Sequence, residues 1–136
     1  MLFRSTIDVA IFNPDYTSIL LGRKSRESLY RFIGGFIQNS ERIEDAVKRE
    51  AFEETHLVLE NITYVDSFPS SDWRYKGERD KITTILHTAQ IQSGTPEPDD
   101  DIFELRWFLF NTAILEKIVP EHQQMLKFLL TKYSKK

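Results

Sequence analysis

Residues 34–57, GGFIQNSERIEDAVKREAFEETHL, constrain this chain most. Two glycines precede a stretch with six acids and three bases, and Glu50, Glu53 and Glu54 crowd into five positions. On a helix over 41–54, Ile43, Ala46, Val47, Ala51 and Phe52 form an apolar stripe near helical spacing. Asn39 or Ser40 is placed to cap its first turn. Glu50 is an i,i+3 neighbour of Glu53 and an i,i+4 neighbour of Glu54, so all three are expected to point roughly the same way. Each like-charge pair costs about a few tenths of a kcal/mol, and the negative end of the helix macrodipole adds to that. Arg49 can reach Asp45 or Glu53, but one guanidinium does not balance the cluster. The plain reading is a solvated polar face. The glycines point to another: Gly34 and Gly35 let the backbone bend and approach a ligand closely. A carbonyl there, beside carboxylates from one helix face, makes an all-oxygen site suited to Mg2+ or Mn2+.

The rest of the chain supplies the frame. Residues 5–12 and 17–22 read as a strand hairpin about the Asn13-Pro14-Asp15 turn. Residues 23–31 are polar and expected as a loop, and 32–37 as a short apolar segment broken by the glycines. Residues 57–68, 82–91 and 103–110 read as strands, with turn-rich 69–81 and Pro-rich 92–101 between them. A short helix is expected over 111–118 and a longer one over 120–133, with Pro120 in its first turn. Met125, Phe128 and Leu129 form a stripe that belongs to a core, and His87, alternating within a strand, is structural. Mixed strands with two well-separated helices imply one α+β domain over 1–136, a mixed sheet with a helix on each face.

The 136 residues suffice for a real core, and 40% apolar with 29% charged residues excludes a disordered chain. A formal net charge of −3 gives no footprint for nucleic acid, so none is expected as a partner. The absence of cysteine excludes disulfides and thiolate metal sites, and fits a reducing cytoplasm. No apolar run approaches the roughly 20 residues that span a bilayer, and the N-terminus lacks a signal-peptide pattern.

Gly35, five residues, Glu41, seven residues, then Arg49-Glu50-Ala51-Phe52-Glu53-Glu54 resembles the Nudix box, G-x5-E-x7-R-E-U-x-E-E-x-G-U, at every charged position. Ala51 is smaller than the usual aliphatic, His56 stands where the family has glycine, and Ile33 replaces the proline that commonly precedes the two glycines. His tolerates the left-handed conformation expected at a helix end, so a small stability cost is expected there. Leu20–Ser25 and Glu104-Leu105-Arg106-Trp107-Phe108 extend the resemblance over nearly the whole chain, implying a Nudix α/β/α sandwich. More narrowly, the chain is similar to Nudix domains fused to nicotinamide-nucleotide adenylyltransferase and to ADP-ribose pyrophosphatases.

The resemblance implies a Mg2+-dependent pyrophosphohydrolase, with Mn2+ as the other metal, acting on a nucleoside diphosphate linked to another moiety. ADP-ribose or a related dinucleotide or nucleotide sugar is the preferred substrate, cleaved to AMP and a sugar phosphate. Glu50 and Glu54 would ligate the cation, Glu53 directly or through water, with the Gly34 carbonyl nearby; Glu41 and Arg49 would orient them. The general base is open among Asp99, Asp100, Asp101, Glu53 and Glu78. For substrate contacts, Trp73 and Tyr75 can stack on a base and Arg23, Lys24, Arg79 and Asp100 can meet phosphates or metal, against the plain alternative of ordinary surface residues. His56 is more readily a helix-end residue than a catalytic one. The alternatives are a nucleoside-triphosphate pyrophosphohydrolase and a non-catalytic nucleotide sensor; the intact set of charges argues against the sensor, as does a length without room for an added DNA-binding domain. A homodimer is expected by analogy alone.

Overall fold

A computed structural model describes residues 3–69 and 81–133. Six strands make one mixed sheet: β1 (Phe3–Phe12), β2 (Ser18–Lys24), β3 (Ile33–Phe36), β4 (Val58–Pro69), β5 (Lys81–Ser93) and β6 (Ile102–Leu109). Helix α1 (Ile43–Thr55) follows β3, and α2 (Gln123–Tyr133) ends the described chain. The strand order is β4-β5-β1-β2-β6, with β3 also paired to β1. Among the described strands, β1 and β5 are the one parallel pair, over Phe3↔Lys81 to Phe12↔Gln90.

Strand β1 organises both faces. Ile7, Val9 and Ile11 pack with Ala46, Val47 and Ala51 of α1, while Ala10 and Phe12 pack with Leu126 and Leu129 of α2. This is the period-2 alternation of a central strand expressed as two separate cores. Met125 and Leu129 are buried and Phe128 packs at the edge of the same core, as the helical stripe required.

The sheet splits beside β1. Its C-terminal end pairs with β2 only at Ile11↔Leu20 and Phe12↔Ile19, and its N-terminal half pairs with β3 from Thr6↔Phe36 to Val9↔Ile33. Strand β2 meanwhile follows β6 from Ser18↔Leu109 to Lys24↔Ile102. The residues leading into β3 close the gap, through the Gly22↔Arg31 bridge.

Several local expectations are corrected. Residues 23–31 are not wholly loop: β2 continues to Lys24, and Tyr30 and Arg31 are buried at isolated bridges. Neither Asn39 nor Ser40 caps α1; Arg42 is its N-cap without a side-chain bond, and Ser40 (φ 62°) lies in the preceding turn. Ile43 and Phe52 of the apolar stripe are exposed, leaving Ala46, Val47 and Ala51 as the buried contacts. The helix expected over 111–118 is a 3-10 turn, Thr112–Glu116, with Asn111 accepting from the Ala113 amide. Pro120–His122 is likewise a 3-10 turn leading into α2. His87 is buried in β5, and burial holds its imidazole below the ordinary value.

Candidate active site

The double glycine is required by crowding and not by a bend. Gly34 and Gly35 are regular residues of β3, and the one glycine with positive φ among the described residues is Gly94. A Cβ on Gly34 would fall 2.1 Å from the Ile7 carbonyl oxygen of β1; on Gly35 it would fall 2.5 Å from Glu50 Oε1. One glycine thus lets β3 lie against β1, and the other lets a helix carboxylate lie on β3. The ladder also fixes where Gly34 points. The Ile37 amide donates to Ser5 O at 3.2 Å, so bonded pairs in this antiparallel ladder fall at odd positions of β1. Gly34, opposite Asp8, is an unbonded position whose N–H and C=O turn away from β1. The N–H donates to Glu54 Oε1 at 3.1 Å.

Arg49 binds the helix to this strand. Its Nε and Nη2 donate to the two oxygens of Glu41 at 2.8 and 3.0 Å, a two-pronged pair, and Nη2 also donates to Phe36 O at 3.0 Å. Its Nη1 donates to Glu50 Oε1 at 2.9 Å and, at 3.4 Å, to Glu53 Oε2. The Arg49 guanidinium, with the Gln38 amide, holds Glu41 below the usual carboxylate range.

Glu50 and Glu54 are buried, at 8% and 5% exposure, whereas Glu53 turns outward. The expectation that all three share one direction is corrected: positions 50 and 54 face the sheet, and 53 sits at the rim. Burial pushes Glu54 up to about 8, helped by the charge of Glu50, while the Gly34 N–H and Lys24 pull the other way. Burial also raises Glu50, against the pull of Arg49. The pair is therefore a partly uncompensated anion in a low-dielectric setting, which a cation would relieve.

Both face a cavity of about 300 Å3 at the split in the sheet. Asp100 and Asp101, from the loop before β6, stand on its wall with Lys24 of β2. Asp8, Arg31 and His122, which sequence reasoning did not single out, also line it. Thr84 Oγ1 donates to Asp8 Oδ2 at 2.5 Å, the Phe32 amide donates to His122 Nδ1 at 3.1 Å, and His122 Nε2 lies 3.9 Å from Asp8 Oδ1. Arg31 makes a two-pronged pair with Glu27, at 3.1 and 2.8 Å. The available signal was Asp8 itself, a lone acid within the apolar strand STIDVAIF.

The other expected residues fall in three groups. Asp99 is at the surface, held by His56. Arg23 does not line the cavity; its Nε donates to Glu104 at 2.8 Å and its Nη1 to Glu27 O at 2.8 Å, tying β2 to β6 and the next turn. Trp73, Tyr75, Glu78 and Arg79 lie outside the described residues.

Among the described residues no three His, Asp or Glu side chains form a ready-made metal cage. The donors nevertheless suit a hard dication. Mg2+ keeps several waters and takes one or two carboxylates, and Glu50 and Glu54 are acids whose proton affinity is raised chiefly by burial. No helix among the described residues is long and apolar enough to cross a membrane.

Comparison with known proteins agrees with this geometry. The NUDIX domain model matches residues 2–129. The chain is 32% identical over 111 residues to the NAD-capped RNA hydrolase NPY1 of Saccharomyces cerevisiae, covering 76% of this chain but 28% of that protein. It thus spans 28% of that protein and 37% of the NAD-capped RNA hydrolase NudC of Vibrio parahaemolyticus, well under half of either. It is 27% identical over 119 residues to the ADP-ribose pyrophosphatase of Methanocaldococcus jannaschii, covering 86% of this chain and 68% of that one. Among solved structures, the NUDIX domain of Shewanella oneidensis NrtR, crystallised with ADP ribose, superposes with a TM-score of 0.77 at 19% identity, covering 98% and 90% of the two chains. MutT of Burkholderia pseudomallei gives 0.76 at 22%, covering 95% and 99%. The sandwich of mixed sheet and flanking helices is the fold of these neighbours, and the chain belongs to the Nudix family.

Proposed function

We propose that this chain is a divalent-cation-dependent pyrophosphohydrolase acting on a nucleoside diphosphate linked to another moiety, with ADP-ribose or a related dinucleotide or nucleotide sugar preferred. The observation that carries this reading is the buried Glu50–Glu54 pair facing a cavity that Lys24 also lines. The relative named ADP-ribose pyrophosphatase supports the substrate class.

Glu50 and Glu54 would hold Mg2+ or Mn2+, with Glu53 from the rim and the outward-turned Gly34 carbonyl contributing. Such a cation neutralises diphosphate charge and activates water. Arg49 and Glu41 fix the helix carboxylates over β3 before substrate arrives, which removes reorganisation from the reaction. Lys24 offers a positive charge to the phosphates. In the hydrolysis, a water oxygen bonds to one phosphorus, the anhydride P–O bond breaks, and a carboxylate takes the water proton. Asp100 and Asp101 stand on the cavity wall and Glu53 does not, which favours the loop as proton acceptor.

A screen of ADP-ribose, dinucleotides, nucleotide sugars and nucleoside triphosphates with Mg2+ or Mn2+, with products identified, tests this. AMP plus a sugar phosphate from the best substrate is expected. Pyrophosphate released from a triphosphate as best substrate would replace it with the triphosphatase alternative, and tight binding without turnover would favour the sensor. The relatives named NAD-capped RNA hydrolases support a second reading, because a NAD cap presents the same kind of diphosphate. Capped RNA therefore belongs in the panel, and its cleavage would overturn the expectation that nucleic acid is no partner.

A further inference from the structure

Helix α1 ends at His56, which has φ 61° and ψ 19°, where the Nudix box has glycine. That left-handed conformation disfavours side chains, and glycine would end the helix with less strain. The backbone N–H of His56 donates to Phe52 O at 3.0 Å, a closure glycine makes equally well. What the imidazole adds is its reach. Nε2 lies 2.7 Å from Asp99 Oδ2 and Nδ1 lies 3.4 Å from Glu97 Oε2.

Those two acids belong to the segment that covers the helix end. The Glu97 amide donates to Thr55 O at 2.9 Å and the Asp99 amide to Glu54 O at 3.1 Å, satisfying carbonyls that the helix leaves open. Gly94 fits closely beneath, since a Cβ there would fall 2.8 Å from His56 O. Asp99 Oδ1 then accepts from the Asp100 amide at 2.7 Å, Asp100 turns at φ 55°, and Asp100 and Asp101 reach the cavity wall.

We propose that His56 is a positioning residue that pins segment 97–101 to the end of α1, and so sets Asp100 and Asp101 against the Glu50–Glu54 pair. The catalytic consequence rests on the function proposed above.

The test uses His56→Gly, which keeps the backbone conformation and removes the ring, and Asp99→Ala, which removes the same contact from the loop. In each, amide exchange at positions 97 and 99 should accelerate about tenfold or more, while amides of β1 and β5 stay as in the parent protein. With the best diphosphate substrate, kcat should fall about tenfold, the Mg2+ needed for half-maximal rate should rise, and KM for the nucleotide should stay within about twofold. The double variant should be no worse than Asp99→Ala, which loses the His56 contact and the acceptor for the Asp100 amide together. Unchanged exchange at those amides, unchanged kcat despite faster exchange, or multiplicative losses in the double variant would each overturn the proposal. A parent protein that hydrolyses no diphosphate would sink the functional reading instead, and the exchange measurement would still decide whether His56 pins the loop.

Discussion

Helices α1 and α2 flank the same central strand, yet they turn different chemistry toward it. Helix α2 buries Met125, Leu126, Leu129 and Leu130, an uninterrupted apolar face. Helix α1 buries Ala46, Val47 and Ala51 beside Glu50, Glu54 and Thr55. Three small or medium side chains bring α1 close to the sheet, and the closeness is what presses two carboxylates against β3. Hydrophobic burial contributes about 1.5–3 kcal/mol per large side chain, so α2 supplies far more of the stability than α1. Buried acids work in the opposite direction. The contrast separates a helix kept for stability from one whose inward face stores charge.

The sharpest way to break that contrast is Leu126→Ala. It should cost about 2–5 kcal/mol of stability in denaturant unfolding and leave kcat per folded molecule unchanged; a large loss of kcat would mean the two faces are not separable. Glu54→Gln should do the reverse, lowering turnover at least about a hundredfold, roughly 2.7 kcal/mol of barrier, with the fold intact. Equal activity with Mg2+ present would remove α1 from the chemistry.

The same residue gives a pH signature. Glu54 lies near 8 in the folded chain against an ordinary value of 4.5. Between those values the folded chain holds a proton that the unfolded chain has released, so stability must fall as pH rises through the interval. Without metal, the loss from about pH 5 to about pH 8 should be on the order of 2–4 kcal/mol. Glu54→Gln should flatten it, and saturating Mg2+ should restore stability most at the alkaline end. Thermal melts across pH, with chelator and with Mg2+, measure this.

Arg49→Lys keeps a charge but loses the fork that joins Glu41, Glu50 and Phe36 O. It should lower kcat about tenfold, with a small change in KM. Ile43→Ser sharpens the comparison at its weak end. The stripe drawn from the sequence placed Ile43 in the core, but the side chain is 42% exposed, so the change should stay within about 0.5 kcal/mol.

What was legible in the sequence follows from how local each feature is. The spacing Gly35-x5-Glu41-x7-Arg49-Glu50 lies within one strand, one turn and one helix, so counting residues places these groups together. The element order was readable for the same reason, as were the core positions of Met125 and Leu129. The grouping of Asp8, Thr84 and His122 was not, because residues separated by 76 positions meet through parallel pairing of β1 and β5. A helical wheel does separate Glu53 from Glu54: Glu54 is seven residues from Val47 and three from Ala51, on the buried face, and Glu53 lies about 100° round from it. Phe52 shows the same. Counted into the stripe, it lies about 100° round the helix from Ala51, is exposed, and stacks on His56 at 6.1 Å instead.

Gly34 carries one more implication. In an ordinary strand an amide proton answers to the chain alongside; here it answers to the carboxylate of Glu54. Its resonance should therefore register the charge state of that acid directly. Sequence repair of the sheet and tuning of the acid cannot proceed independently, since a single peptide unit belongs to both.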